Sequence, residues 1–286
     1  MADNRNVSSM TSRALRVLFQ PGRVVHRVMR SLPFGDFETR CSLDLYPRPH
    51  YAYGVQQGAL LAKALGLPRI TVIEFGVAGG NGLVELERLA ADASKAIGVA
   101  IDVFGFDRGE GLPESSDYRD LPYTWRKGFF KMNVPALKSR LTTAQLVLGD
   151  VKETLPKFLE RSDVAPIGFV ADDLDYYSST VDCLKVFDAP DDKLLPRVLC
   201  YFDDIVGEEH VLHNDEVGEL LAIREFNQSH ATTKIKPING LFWKRVIPAA
   251  WPESMFAVHR FDHKLYDHYV GHDPATQQLV LQNARR

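Results

Sequence analysis

"ITVIEFGVAGGNG" (residues 70–82) passes from a β-branched apolar run through one acid, Glu74, into four glycines. A short, continuous apolar run suits a strand buried on both faces, as in a parallel sheet. Gly76, Gly79, Gly80 and Gly82 permit positive φ and close backbone approach. The helical periodicity of "LVELERLAADA" (83–93) then offers free N–H groups just beyond them. The stretch therefore predicts a strand, a ligand-binding turn and a helix. It is not the dinucleotide fingerprint G-x-G-x-x-G, because Ala78 and Asn81 stand where later glycines are required. An acid ahead of the turn suits a cationic ligand better than a pyrophosphate. S-adenosylmethionine, with its ammonium, sulfonium and ribose diol, fits that description.

The alternation continues on both sides. "YGVQQGALLAKALGL" (53–67) reads as a helix that stops at Gly66 and Pro68. Strand-like runs lie at 102–107, 145–149, 167–171 and 198–202, with helical stretches near 151–161, 177–187 and 215–228 between them. Strands alternating with helices predict an α/β fold, a Rossmann-like, doubly wound, mostly parallel sheet of seven strands. The tail "KIKPINGLFWKRVIP" (234–248) reads as two strands around Asn239-Gly240, a C-terminal antiparallel hairpin. The expected organisation is an N-terminal basic arm or lid with helical character (residues 1–45) and a single catalytic domain (46–286). The first 32 residues hold six arginines against Asp3 alone. An arm packed on a neighbouring subunit of a homo-oligomer, an interfacial membrane helix, and a lid over an anionic ligand all suit that pattern.

Composition bounds the partners. The chain has 286 residues, 45% hydrophobic and 25% charged, with a formal net charge of −3. This balance gives no overall support for nucleic-acid binding. No run approaches eighteen consecutive apolar residues, so no membrane span is expected. Cys41, Cys183 and Cys200 are scattered and lack CxxC spacing, which predicts reduced thiols in a cytoplasmic protein.

In open parallel sheets, ligands bind beyond the carboxyl ends of the strands. Here every strand in the run ends in acid: Glu74, then Asp107, then Asp150, then Asp172, Asp173 and Asp175, then Asp203 and Asp204. One such acid is ordinarily a helix cap or a turn residue. Five strand ends in succession point to a cationic ligand or a metal ion that relieves the crowded charge.

"VIEFGVAGGNG" looks like motif I of class I S-adenosylmethionine-dependent methyltransferases, with Ala78 where many members have a middle glycine. "GFDRGEGLP" (105–113), Trp125, Gly128 and Phe130, "GDVKETLP" (149–156), "DLDYYSST" (173–180) and "YFDDI" (201–205) resemble, in that order, the macrocin O-methyltransferase family. The resemblance spans about residues 70–206. It implies an O-methyltransferase that uses S-adenosylmethionine and Mg2+ to methylate a sugar hydroxyl of a natural product or another small-molecule acceptor. Glu74, Gly76, Gly80 and Asn81 would then shape the methionine end of the site, Asp107 would hold the ribose and Asp150 would lie near the adenine. Asp173, beside that cofactor site, would join Asp203 and Asp204 as the metal ligands. Asp175 matches the position of a general base, with His210 and Asp172 as alternatives. Ala171-Asp172 stands where His-Leu is common, and Tyr176 where Leu is common, so Asp172 has no role in the pattern.

Rival expectations are a catalytically idle, ligand-binding or scaffold protein of the same fold and a nucleotide-dependent oxidoreductase. His259, His263, His268 and His272 include pairs at i, i+4 that can hold zinc on a helix, but Asp, Tyr, Gly and Pro crowd the stretch, so surface or intersubunit positions are expected, with substrate contact and metal binding as the alternatives. Tyr118, Tyr123 and Trp125 lie in a long insertion that reads as a cover for the site or as a fixed shield of the sheet.

Overall fold

The computed structural model describes residues 21–115 and 117–271. The first twenty residues of the basic arm and His272 lie outside the described residues.

Three helices precede the sheet: α1 (Pro21–Ser31), α2 (Phe37–Ser42) and α3 (Pro49–Ala64). The strand of the opening stretch is β1 (Arg69–Phe75), and all its residues but Arg69 are buried. The alternation then runs α4 (Asn81–Ile97), β2 (Ala100–Asp107), α5 (Val134–Lys138), β3 (Gln145–Leu148), α6 (Val151–Leu159), β4 (Ile167–Asp172), α7 (Tyr177–Cys183), β5 (Leu194–Phe202) and α8 (Gly218–Ser229). It closes with β6 (Thr233–Pro237) and β7 (Met255–Arg260). The strands form one sheet in the order β3-β2-β1-β4-β5-β7-β6. The pairs among β1 to β5 are parallel, and β7 runs antiparallel to both β5 and β6. Helices α2, α3 and α4 pack together with the sheet on one side, and α6, α7 and α8 form a second connected group.

The expected hairpin is present with a different second strand. Residues 241–248 are not a strand: Phe242–Lys244 is a 3-10 turn, and the chain reaches β7 only after a second such turn at Trp251–Ser254. Pro237 has no N–H to continue the ladder, and Pro248 and Pro252 keep the intervening segment irregular. Other bounds move by a few residues: the helix expected at 53–67 starts at Pro49, which suits a first helical position, and ends at Ala64. Phe37, Cys41 and Tyr46 belong to the same hydrophobic core as β1 and β4. No helix among the described residues is long and apolar enough to cross a membrane.

Candidate active site

The strand order reverses between the parallel neighbours β1 and β4, which opens a crevice at the carboxyl edge of the sheet, where doubly wound folds bind ligands. A cavity of about 290 Å³ lies there. Gly76 and Ala78 from the first turn, Asp107 and Arg108 after β2, and Asp173, Asp175, Asp203 and Asp204 after β4 and β5 all line it.

The turn after β1 is shaped by contacts that leave no room for side chains. A Cβ on Gly76, at φ +84°, would meet the Asp173 carbonyl oxygen at 1.7 Å, because the ends of β1 and β4 touch there. A Cβ on Gly82 would meet Oε1 of Glu74 at 1.8 Å. Glu74 is thus walled in by the first turn of α4. Tyr51 donates to its Oε1 at 2.7 Å, while Oε2 is shut off from solvent and has no partner. Burial pushes the Glu74 carboxyl up to about 7, against the hydrogen bond from Tyr51 and the charge of Arg48. Ala78 adopts φ +46°, a region that favours glycine. Its N–H donates to Asp107 at 2.8 Å, and the Gly109 N–H donates to the other Asp107 oxygen. Asn81 begins α4, and its Oδ1 accepts from Arg140 at 3.1 Å. Asp150 caps α6 by accepting from Lys152 and pairs with Arg108 at 3.2 Å at the rim. Among the residues named for the cofactor, Gly76, Asp107 and Asp173 line the cavity; Glu74, Gly80, Asn81 and Asp150 lie outside its lining.

The ends of β4 and β5 carry the opposite pattern. Carboxylate oxygens of Asp173, Asp203 and Asp204 lie within 4.8 Å of one another. Among the described residues no Lys or Arg makes an ion pair with any of the three. Burial first, and then the charges of Asp203 and Asp204, hold the Asp173 carboxyl well above the ordinary carboxylate range. Asp175 is buried at φ +63°, and its N–H donates to Asp204 at 3.2 Å. Burial and the same neighbours push it up to about 9. Three converging carboxylates with no Lys or Arg paired to them among the described residues are the kind of oxygen donors that a divalent cation such as magnesium takes.

Behind this group lies a second layer. Asp172 and Glu219 are fully buried, and both Asp172 oxygens and Oε1 of Glu219 lack partners. Glu219 Oε2 accepts from the Asp204 N–H at 3.1 Å, so it fixes the loop that carries two of the three acids. Sequence reading missed Glu219, although an acid on the face of α8 shared by Ala222, Ile223 and Phe226 was a legible oddity. It also missed Tyr51 and Tyr201; the Tyr201 hydroxyl donates to Asp203.

The insertion forms a wall of the cavity through Gly111, Leu112, Pro113, Trp125 and Phe130. It is fastened to the acidic edge: buried Asp120 accepts from the Ser178 N–H at 2.8 Å and from its hydroxyl at 3.0 Å, capping α7 from a distance. Tyr123 donates to the Val211 carbonyl at 2.6 Å, and Tyr176 donates to that of Pro113 at 3.2 Å.

His210 is exposed, lies 3.3 Å from Glu208 and is absent from the cavity lining. Among the described residues the C-terminal histidines do not gather either. His263 is buried with Nε2 beside the carbonyls of Asp191 and Leu194, His259 bonds the Tyr266 hydroxyl, and His268 is exposed.

No protein-family model matches the chain. No curated protein matches it. Solved structures do. The crystal structure of CalS11, a calicheamicin methyltransferase, aligns with a TM-score of 0.51 at 23% identity, covering 92% of this chain and 95% of that one. An apo structure of CalS11, described as a TDP-rhamnose 3'-O-methyltransferase, aligns at 0.43 with 21% identity over 92% and 97%. The O-methyltransferase TomG from Streptomyces achromogenes, in complex with SAM, aligns at 0.40 with 16% identity over 72% and 78%. The strand order, the reversed β7 and the likeness to the first of these agree: the chain has the class I methyltransferase fold.

Proposed function

We propose that the protein is an S-adenosylmethionine-dependent, magnesium-dependent O-methyltransferase acting on a hydroxyl of a sugar or other small-molecule natural product. The observation that carries this reading is that the motif I turn, Asp107 and the Asp173, Asp203 and Asp204 carboxylates face one cavity. A donor site and a cation site then lie side by side, as methyl transfer to oxygen requires.

When bound, S-adenosylmethionine supplies an electrophilic methyl group, and magnesium supplies positive charge that lowers the pKa of a hydroxyl beside it. Gly76 and Ala78 would border the methionine portion, and Asp107 would accept hydrogen bonds from the ribose hydroxyls. Asp173, Asp203 and Asp204 would hold the metal. Asp175 would take the proton from the acceptor hydroxyl. Since its carboxyl is pushed up to about 9, it needs a nearby positive charge to be ionised at neutral pH. Trp125 and Phe130 would exclude water from the acceptor side. Transfer is a displacement in line, so the residues act mainly by positioning the two reactants.

The acceptor class rests on the motif resemblance and on the modest cavity, which suits a small molecule rather than a polymer strand. The buried, unpaired thiols of Cys41, Cys183 and Cys200 suit a reducing, cytoplasmic setting. A homo-oligomer in which residues 1–45 serve as an arm or lid over the domain 46–286 is part of the same proposal. Thermal-shift measurements test the cofactor reading: S-adenosylhomocysteine and magnesium should each raise the melting temperature, and NAD should not. Stabilisation by NAD alone would favour the oxidoreductase alternative.

A further inference from the structure

Asp204 stands where the sheet gives way to irregular chain. β5 ends at Phe202, and no helix begins again until α8 at Gly218. The Asp203 N–H continues the β4–β5 pairing by donating to the Asp172 carbonyl at 3.0 Å. The Asp204 N–H does not. It donates instead to Oε2 of Glu219 at 3.1 Å, a side chain from the first turn of α8. Asp204 carries the contact onward, because its Oδ2 accepts from the Asp175 N–H at 3.2 Å. One bond from Glu219 thus sets the backbone from which a cavity acid projects and, through that acid, the turn that holds Asp175. Asp204 and Asp175 line the cavity; Glu219 stands behind them.

Glu219 can serve as a fixed post because α8 is anchored. Leu221, Ala222, Ile223 and Phe226 are buried along it. Near its end the Asn227 amide exchanges two hydrogen bonds with the Ile235 backbone in β6, both at 2.8 Å. An acceptor on a rigid element, bonded to the backbone of a metal ligand, is the kind of outer support that keeps such a ligand oriented. The acid is also an expensive residue for that bond. Glu219 is 0% exposed and its Oε1 has no partner, and Asp172, whose charge acts on it, is 0% exposed with both oxygens unpartnered. Burying a carboxyl with half its acceptors unmet costs more than one hydrogen bond to a peptide N–H returns. Packing of α8 alone would be better served by an apolar side chain.

We infer that Glu219 is a positioning residue for the cation site: its hydrogen bond to the Asp204 N–H holds the Asp204 carboxylate in convergence with those of Asp173 and Asp203. This rests on the magnesium reading above. It adds to that reading a residue beyond the stretch 70–206 that carries the motifs. Glu219 touches neither cation nor acceptor; its effect reaches both through Asp204 and Asp175.

Calorimetric titration of Mn2+ into the metal-free full chain reads the site without relying on turnover. Glu219→Leu should weaken Mn2+ binding by about tenfold to a hundredfold, the range for a lost outer partner of a metal ligand. Glu219→Gln, whose amide oxygen still accepts from the Asp204 N–H, should stay within about threefold of wild type, less than one lost hydrogen bond to a charged group. Without metal, neither variant should melt more than about 4 °C below wild type, because the buried acid is itself unfavourable. S-adenosylhomocysteine affinity should stay within about twofold in both, less than one lost hydrogen bond. Wild-type Mn2+ affinity in Glu219→Leu would overturn the inference. So would a loss in Glu219→Gln as large as that in Glu219→Leu. A weakened Glu219→Leu that also melts far below wild type would overturn it too, making Glu219 a residue of the fold. If wild type itself binds no Mn2+, the magnesium reading fails first and this one with it.

Discussion

Two halves of one cavity use the same residue type in opposite ways. On the β1–β2 side, Asp107 accepts hydrogen bonds from the Ala78 and Gly109 N–H groups, so its charge is met by the backbone. On the β4–β5 side, Asp173, Asp203 and Asp204 face one another, and burial and mutual repulsion hold Asp173 and Asp204 above their ordinary range. A satisfied carboxylate is ready to receive neutral hydroxyls such as a ribose diol. The crowded cluster, which among the described residues receives only the Tyr201 hydroxyl and the Asp175 N–H, is where a cation would relieve the mutual repulsion. The two sides should therefore separate under mutation: the first governs cofactor affinity, the second metal binding and turnover.

The largest effects belong to the crowded side. Asp203→Asn or Asp204→Asn should abolish magnesium-dependent activity while S-adenosylhomocysteine affinity, by calorimetry, stays within about twofold of wild type, less than one lost hydrogen bond. EDTA should silence the wild type and magnesium restore it. Asp175→Asn should keep the metal yet lower turnover by about 10²–10⁴-fold and remove the basic limb of the pH–rate profile, as for a lost general base. Loss of metal binding in that variant would make Asp175 a ligand instead.

A smaller effect belongs to the satisfied side. Asp107→Ala should weaken S-adenosylhomocysteine by about tenfold to a hundredfold, since hydrogen bonds to a charged group are lost, without altering magnesium affinity. An unchanged affinity would move the ribose contact away from β2.

The smallest effect is on stability. Glu74 and Asp172 have ordinary values of 4.5 and 3.8, and burial raises both to about 7; Asp175 reaches about 9. A carboxyl raised in the fold releases its proton later than in the unfolded chain. Stability is therefore unaffected below the ordinary range, and it is lost as pH climbs from there through the folded values. The melting temperature of metal-free protein should thus fall between about pH 4 and 9, and magnesium should offset more of the fall at the alkaline end. A flat profile would mean that these acids are better solvated than their burial implies.

Much of this site was legible because parallel strands end at one edge: an acid written after each strand lands beside the others. The Gly76 and Gly82 positions were legible for a related reason, since a turn that close to β4 and to Glu74 excludes any Cβ. What escaped depends on long-range packing. Nothing near Tyr51 announces that it will donate to Glu74, and Glu219 gains its meaning only from its hydrogen bond to the Asp204 N–H beyond β5. His210 is only six residues from Asp204 in sequence, yet its side chain is exposed to solvent. The hairpin partner was misread because Asn239-Gly240 is a strong local turn signal, whereas β7 is chosen by pairing with β5.

The most direct measurement is a crystal soaked in Mn2+, a magnesium surrogate with anomalous signal, together with S-adenosylhomocysteine. The expected result is one anomalous peak coordinated by Asp173, Asp203 and Asp204, with the nucleoside ribose on Asp107 in the same cavity. Cofactor bound on Asp107 with no metal among the three aspartates would contradict a cation-dependent transfer and return those acids to a purely structural role.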